Sequence, residues 1–172
     1  MGKNTINIEV FCEDLFFPKR EEECPISPSH WQSWCQQWFE ILNPNLPSAD
    51  IYELTVRLTD DLEIKNLNNQ FRFQDRPTDV LSFAALEVET PFPEKSVALY
   101  LGDVIISVET AKRQARQQKH SLAMELAWLL SHGFLHLLGW DHGDGESLTK
   151  MLTQQETLLK KVGLIWEEAS FP

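Results

Sequence analysis

The 172-residue sequence predicts one α+β or mixed α/β domain with about four strands and five helices. The length is close to the roughly 150 residues of a single domain. The composition, 42% hydrophobic and 24% charged, is that of an ordinary globular chain. The spacing of apolar residues alternates between the periods of strands and helices in the order β-α-β-α-β-β-α-α-α. We therefore expect a single domain over residues 1–172, with a mixed sheet and a helical C-terminal part that covers one of its faces.

The first strand and helix are marked by clear local signals. Alternating apolar residues predict a strand over 5–11, and the Pro- and Glu-rich segment 12–27 is expected to be a solvated loop. A helix then begins with Ser27 as N-cap and Pro28 in its first turn. Its aromatic residues could stack on nucleobases, but their helical spacing favours a core stripe. The stripe consists of Trp31, Trp34, Cys35, Trp38, Phe39 and Leu42.

The middle of the chain repeats the strand and helix pattern. A second strand is predicted over 51–58 and a helix over 61–71. Asp60, with Glu63 three residues later, resembles a capping box at the start of that helix.

Two further strands are predicted over 78–83 and 99–107, with Pro91 and Pro93 marking a loop between them. The second of these strands contains the continuous apolar run 104–106. It should therefore be buried on both faces.

The chain ends in helices. Ser121 is a candidate N-cap, and Gly139 and Gly163 stand just past two of the helix ends. The three predicted helices cover 109–119, 121–138 and 146–162.

Charge and cysteine content limit the classes of function. Fifteen Lys and Arg against 26 Asp and Glu give a net charge of −11, which argues against nucleic-acid binding by overall charge. Three cysteines without a CxxC pair fit a reducing compartment. The N-terminus does not resemble a signal peptide, and no stretch reaches the roughly 18 apolar residues of a membrane span. We expect a soluble cytoplasmic protein that does not bind membranes.

Three of the five histidines fall within eleven residues, and this cluster predicts a metal site. His132 and His136 lie one turn apart on the predicted helix, so both imidazoles can reach one ion. Gly139 allows the chain to turn, so that His142 can supply a third ligand. Each histidine could instead be an ordinary core or surface residue, but an unpaired imidazole in these apolar surroundings would be costly. Three histidines with an open position are typical of catalytic zinc.

The same spacing matches the metzincin peptidase pattern H-E-x-x-H-x-x-G-x-x-H, with one substitution. Gly133 stands where that pattern has the Glu that acts as general base. A conventional metzincin is therefore disfavoured.

The complete stretch 132–142, HGFLHLLGWDH, resembles the H-G-x-L-H-L-x-G-[aromatic]-D-H signature of the YbeY family of bacterial rRNA maturation factors. The segments 76–83, RPTDVLSF, and 101–107, LGDVIIS, are similar to the same family, as is Arg72 ahead of them. The resemblance extends over about residues 66–160.

The chain departs from the family pattern at two positions. Ala84 stands where a proline is expected, and Ser131 replaces a usual apolar residue. Neither position is a proposed metal ligand.

The resemblance implies a zinc-dependent, single-strand-specific endoribonuclease that acts in maturation of the 3′ end of small-subunit (16S) rRNA and in ribosome quality control. It implies one zinc ion per chain on His132, His136 and His142, with Arg72 and His132 as catalytic residues. Zinc would lower the pKa of its bound water toward ~7 for attack on the phosphodiester, and Arg72 would hold the phosphate through paired hydrogen bonds. The implied partners are precursor rRNA, the small ribosomal subunit and assembly factors. No phosphate-binding glycine loop is present, so no nucleotide cofactor is expected.

Two alternatives remain open at this point. One is a metallopeptidase or other zinc hydrolase without the usual Glu, and the other is a non-enzymatic assembly factor with structural zinc. Nickel and other divalent ions also accept imidazole ligands.

Two groups of charged residues have roles that the sequence leaves open. A basic run could steer RNA or be a solvated helix face, and several acids could orient a ligating imidazole. The run is Lys112, Arg113, Arg116 and Lys119, and the acids are Asp79, Asp103, Asp141 and Glu146.

Overall fold

A computed structural model of the chain describes residues 7–85, 96–141 and 143–164. Within these residues the helices and strands follow the predicted order, with one additional 3-10 turn at Pro18–Arg20. The strands are β1 (Asn7–Asp14), β2 (Ala49–Thr59), β3 (Val80–Ala84) and β4 (Ser96–Ser107). The helices are α1 (Pro28–Leu42), α2 (Asp61–Arg72), α3 (Val108–Gln118), α4 (Leu122–Leu137) and α5 (Gly145–Lys161). The predicted loop at Pro91 and Pro93 lies outside the described residues.

The strands form one mixed sheet in the order β1-β2-β4-β3. The β1–β2 and β2–β4 pairs are parallel, and β3 is an antiparallel edge strand beside β4. Parallel neighbours require crossover connections, which α1 and the segment containing α2 supply. The predicted α+β class and four-stranded mixed sheet are confirmed.

The main core lies between the sheet and α1 and α4. The tryptophan stripe of α1 is buried there, which confirms its predicted core role, and the Trp38 indole donates a hydrogen bond to the Leu158 carbonyl oxygen at 2.7 Å. Val104 and Ile106 belong to this core, whereas Ile105 packs with Ile64 of α2 on the other face of the sheet. The central part of β4 is therefore buried on both faces, as predicted.

The expectation of a solvated loop over 12–27 holds for the exposed stretch 18–23 but is wrong for the residues on either side of it. β1 continues to Asp14, whose carboxylate accepts hydrogen bonds from the backbone N–H groups of Phe16 and Phe17, each at 3.0 Å. This turn directs both phenyl rings into the core, where Ile26 is also buried. The average composition of the segment does not reveal this burial, because only Phe16, Phe17 and Ile26 are fully buried among many polar residues.

Gly133 allows α4 to lie directly against the sheet. A Cβ atom at this position would lie 2.5 Å from Val104 Cγ1 and 3.0 Å from Ser82 Oγ. Only glycine permits so close an approach of the helix backbone to β3 and β4. The contact fixes the end of α4 that carries His132 and His136 beside β3.

No helix in the described residues is both long and apolar enough to cross a membrane. The three cysteines, Cys12, Cys24 and Cys35, are free thiols. Burial raises the pKa of the Cys35 thiol, as expected for an inert core residue.

Candidate active site

A cavity of about 610 Å³ opens between α2, β3 and the end of α4. Each of these elements contributes polar groups to its wall, as does the segment that follows α4. The lining residues include Asn68 and Arg72 from α2, Ser82 and Ala84 from β3, His132 and His136 from α4, and Gly139, Trp140 and Asp141. The structure thus brings together three of the four predicted site residues.

His132 and His136 direct the same ring nitrogen toward each other. Their Nε2 atoms are 3.1 Å apart, and the two ring planes make an angle of 77°. Two nitrogen ligands at the Zn–N distance of tetrahedral zinc would be separated by about 3.3 Å. The pair therefore fits two ligands of one ion, as the one-turn spacing of the histidines predicts.

Gln155 of α5 sets the tautomer of His132. Its Oε1 lies 3.1 Å from His132 Nδ1, and a carbonyl oxygen only accepts hydrogen bonds. The proton is therefore on Nδ1, and Nε2 carries the lone pair, which is the tautomer in which this nitrogen can bind a metal ion.

The orientation of the Gln155 amide is itself fixed inside the protein. The side chain is fully buried, and its Nε2 donates to Ser131 Oγ and to the Trp128 carbonyl oxygen, both at 3.4 Å. Ser131, one of the departures from the family pattern, donates its own hydroxyl to the same carbonyl at 2.7 Å. The hydroxyl at position 131 thus belongs to the hydrogen-bond network behind His132.

Gln155 was not among the predicted partners of the histidines, which were all carboxylates. The available signal was a polar residue in the buried stripe of α5. That stripe otherwise consists of Met151, Leu158 and Leu159.

The proposed acidic partners lie in different surroundings. Asp79 accepts from the Val80 N–H at 2.7 Å and from Gln114 at 3.2 Å, so it holds the start of β3. Asp103 accepts from the Tyr100 hydroxyl at 2.6 Å. Together with burial, this contact raises the pKa of Tyr100 to about 12.

The other two acids lie nearer the end of α4. Glu146 pairs with Lys150 at 3.2 Å on the exposed face of α5. Asp141 lines the cavity.

Arg72, the last residue of α2, lines the same cavity as the two histidines. One guanidinium nitrogen donates to the Ser82 carbonyl oxygen at 2.9 Å, and Cζ lies 5.8 Å from the centre of the Phe83 ring. Within the described residues Arg72 forms no salt bridge. Its remaining N–H groups are therefore suited to an anionic group in the cavity.

The chain turns after α4 as predicted, because Gly139 has a φ of +95°. His142, the predicted third ligand, lies outside the described residues. Among the residues that are described, no three His, Cys, Asp or Glu side chains are grouped to hold a metal ion.

The position of the peptidase glutamate has no room for a side chain. The contacts at Gly133 described above exclude even a methyl group without a shift of Val104. The general base of the metzincin pattern is thus incompatible with the packing of α4 on this sheet.

The basic run on α3 is partly neutralised by neighbouring acids. Lys112 pairs with Glu22 at 2.7 Å, and Arg113 pairs with Asp61 at 2.9 Å. These two cations stabilise contacts within the protein, which weakens the case for the run as an RNA-binding surface.

Comparison with known proteins identifies close relatives over most of the chain. The family described as "Endoribonuclease YbeY" matches residues 17–163. A protein of that name from Trichodesmium erythraeum is 57% identical over 150 residues, which cover 86% of this chain and 82% of that protein. One from a Cyanothece species is 57% identical over 161 residues, covering 92% and 95% of the two chains.

Among solved structures, the solution structure of a Thermotoga maritima protein matches with a TM-score of 0.53 and 22% sequence identity. The match covers 90% of this chain and 91% of that one. This likeness supports the fold alone.

Proposed function

This chain belongs to the YbeY endoribonuclease family, and from that membership we propose that it is a metal-dependent endoribonuclease acting on single-stranded RNA. The observation that carries the proposal is the cavity in which the His132–His136 pair and the Arg72 guanidinium lie together. As its biological role we propose maturation of the 3′ end of 16S rRNA and ribosome quality control in the cytoplasm. The small ribosomal subunit and assembly factors are the proposed partners.

One zinc ion is the proposed cofactor, held in a zincin-like site by His132, His136 and His142. The donor set supports this choice, because the two described imidazoles approach through Nε2 while Gln155 holds the proton of His132 on Nδ1. When bound, zinc supplies a Lewis acid for phosphoryl oxygens and lowers the pKa of water toward about 7.

Arg72 is proposed to hold the scissile phosphate. The Ser82 carbonyl anchors one of its nitrogens, so the planar guanidinium has a fixed orientation at the cavity wall. Its remaining donors match two phosphate oxygens through parallel hydrogen bonds, which strengthen as negative charge grows in the transition state. His132 is proposed as the second catalytic residue, because Gln155 gives it a defined tautomer at the same cavity.

The test is cleavage of a labelled single-stranded RNA by zinc-replete wild type and by Arg72→Ala, in preparations freed of contaminating nucleases. The loss of one donor to transition-state charge typically lowers kcat by about 10²–10³-fold, and we expect a loss of that size. Chelation should abolish cutting by the wild type, and added zinc should restore it. Lys65→Ala is the matched control, because Lys65 lies on the same helix and is absent from the cavity wall.

Equal cutting by wild type and Arg72→Ala would contradict the role of Arg72. Cutting that survives metal removal would contradict metal dependence. Cleavage of casein with RNA left intact would overturn the proposal in favour of a hydrolase of another substrate.

A further inference from the structure

We infer that Phe73 is a stacking platform for a nucleobase of the RNA strand whose phosphate lies at Arg72. This inference rests on the proposed function and adds a base-binding subsite to it. It comes from a residue that the active-site chemistry does not use.

Phe73 is the most exposed of the large apolar side chains that remain accessible in the described residues. It is 88% exposed, whereas its neighbour Phe71 is 53% exposed and packs edge-on against Phe83 at 5.3 Å. The Phe73 ring therefore contributes almost no burial to the fold.

Phe73 also has a backbone conformation that is unfavourable for a residue with a side chain. It caps the C-terminus of α2 with a φ of +58°, the left-handed conformation for which glycine is preferred. The other non-glycine residues with positive φ in the described chain are polar, namely Glu21, Asn43 and Lys119. A bulky aromatic residue that is both strained and unburied indicates a role outside the stability of the fold.

Hydrogen bonds fix the turn that carries Phe73 next to Asn68 and Arg72, which line the cavity. The Phe73 N–H donates to the Asn69 carbonyl at 3.2 Å, and the Gln74 N–H donates to the Asn68 carbonyl at 3.3 Å. The Asn68 side chain in turn donates to the Arg76 carbonyl at 2.9 Å and also lines the cavity. The ring is thus presented on a fixed segment directly after Arg72.

A nucleobase is the occupant that fits this position. Arg72 binds a phosphate, and in a single strand each phosphate is followed by an unpaired base with an accessible π-face. The net charge of −11 leaves little electrostatic attraction for RNA, so stacking would supply affinity that charge does not. Stacking also tolerates any base, which suits an enzyme selective for single strands rather than for sequence.

The test compares wild type, Phe73→Gly and Phe73→Trp for binding and cleavage of one single-stranded oligonucleotide at fixed salt. Phe73→Gly should weaken binding and raise KM by about 5- to 150-fold, the range expected for loss of one stacked base. Phe73→Trp should keep the affinity and the KM of the wild type.

Thermal unfolding of Phe73→Gly should occur at a higher temperature than that of wild type, because glycine relieves the left-handed strain. Phe11→Ala is the matched control, because Phe11 is a half-exposed aromatic on β1, at the opposite edge of the sheet from β3.

A scan with abasic nucleotides locates the subsite. The wild type should bind an oligonucleotide more weakly when the base at one position next to the cleaved bond is removed. Phe73→Gly should bind that abasic oligonucleotide and the intact one with equal affinity. Normal KM and binding of Phe73→Gly, while wild type cuts RNA, would overturn the platform but leave the proposed function standing. Earlier thermal unfolding of Phe73→Gly would show a packing role and would also overturn the platform. A wild type that neither binds nor cuts RNA would overturn both.

Discussion

At the residue scale, the absent side chain of Gly133 links the packing of the fold to the chemistry of the site. The backbone of α4 contacts Val104 and Ser82 at this position, and the Ser82 hydroxyl donates to the Gly133 carbonyl at 3.4 Å. The same contact that positions His132 beside the sheet excludes a glutamate at the next position. The lack of a peptidase base is thus a consequence of how this helix packs.

Gly133→Ala should destabilise the protein although alanine is the better helix former. The helix propensity gain of about 1 kcal/mol is opposed by a Cβ placed 2.5 Å from Val104 Cγ1, and such overpacking costs about 1–3 kcal/mol. We expect a net loss of unfolding free energy, measured by denaturant titration. Gly145→Ala is the control, because nothing lies within 4 Å of a Cβ there, and it should be neutral or stabilising by up to about 1 kcal/mol. An unchanged or higher stability of Gly133→Ala would contradict the close approach.

The sequence was sufficient to predict contacts between residues that lie one turn apart on the same helix. His132 and His136 share a helix face, and the helical period alone brings them together. Gln155 lies 23 residues beyond His132, and their contact depends on how α5 packs against α4. Periodicity within each helix does not predict such a tertiary contact.

At the element scale, Asp61 joins the N-termini of α2 and α3. Its Oδ1 accepts from the hydroxyls of Ser107 and Thr110, each at 2.6 Å, and its Oδ2 accepts from Arg113 at 2.9 Å. Burial opposes ionisation of this carboxyl, but the three hydrogen bonds outweigh burial and hold its pKa below the usual value.

Asp61→Asn should be less stable than wild type at pH 7 by up to about 1.5–3 kcal/mol, the range for hydrogen bonds to a charged group. Because the folded-state pKa is lowered, the contribution of Asp61 is complete above the unfolded pKa of about 3.9 and is lost as the pH falls through the folded value. The stability difference between wild type and Asp61→Asn should therefore shrink below about pH 4, as measured by denaturant unfolding at each pH. Asp75→Asn is the control, because that side chain is 70% exposed and should change little. A difference that stays constant with pH would show that the charge of Asp61 does not stabilise the fold.

The helix starts were predicted well because their signals are local. The side chains of Ser27, Asp60 and Ser121 each accept a hydrogen bond from a backbone N–H in the first turn of the helix they cap. The capping box expected at Asp60 is only half formed, because the Glu63 carboxylate accepts from Arg57 at 2.9 Å instead. Competition from a neighbouring strand is a tertiary effect that the pattern of α2 does not contain.

At the scale of the whole molecule, the negative net charge of the protein repels the proposed anionic substrate. The net charge is −11, and several cations are already paired with acids, among them Arg57, Lys112 and Arg113. We therefore expect attraction for RNA to come from local groups such as Arg72, while the net charge of the molecule repels a polyanion.

Because of this repulsion, we expect the cleavage of a short single-stranded RNA at saturating zinc to depend on salt in two phases. The Debye length falls from about 30 Å at 0.01 M salt to about 10 Å at 0.1 M, so added salt first screens the long-range repulsion and leaves the contacts inside the cavity less affected. We expect kcat/KM to rise between these concentrations and to fall at higher salt, where the attraction between Arg72 and the phosphate is also screened. A dinucleotide substrate, which carries less charge, should show a smaller rise. A steady decrease from the lowest salt concentration would indicate that a local basic surface dominates the encounter, as in nucleases that bind RNA by charge.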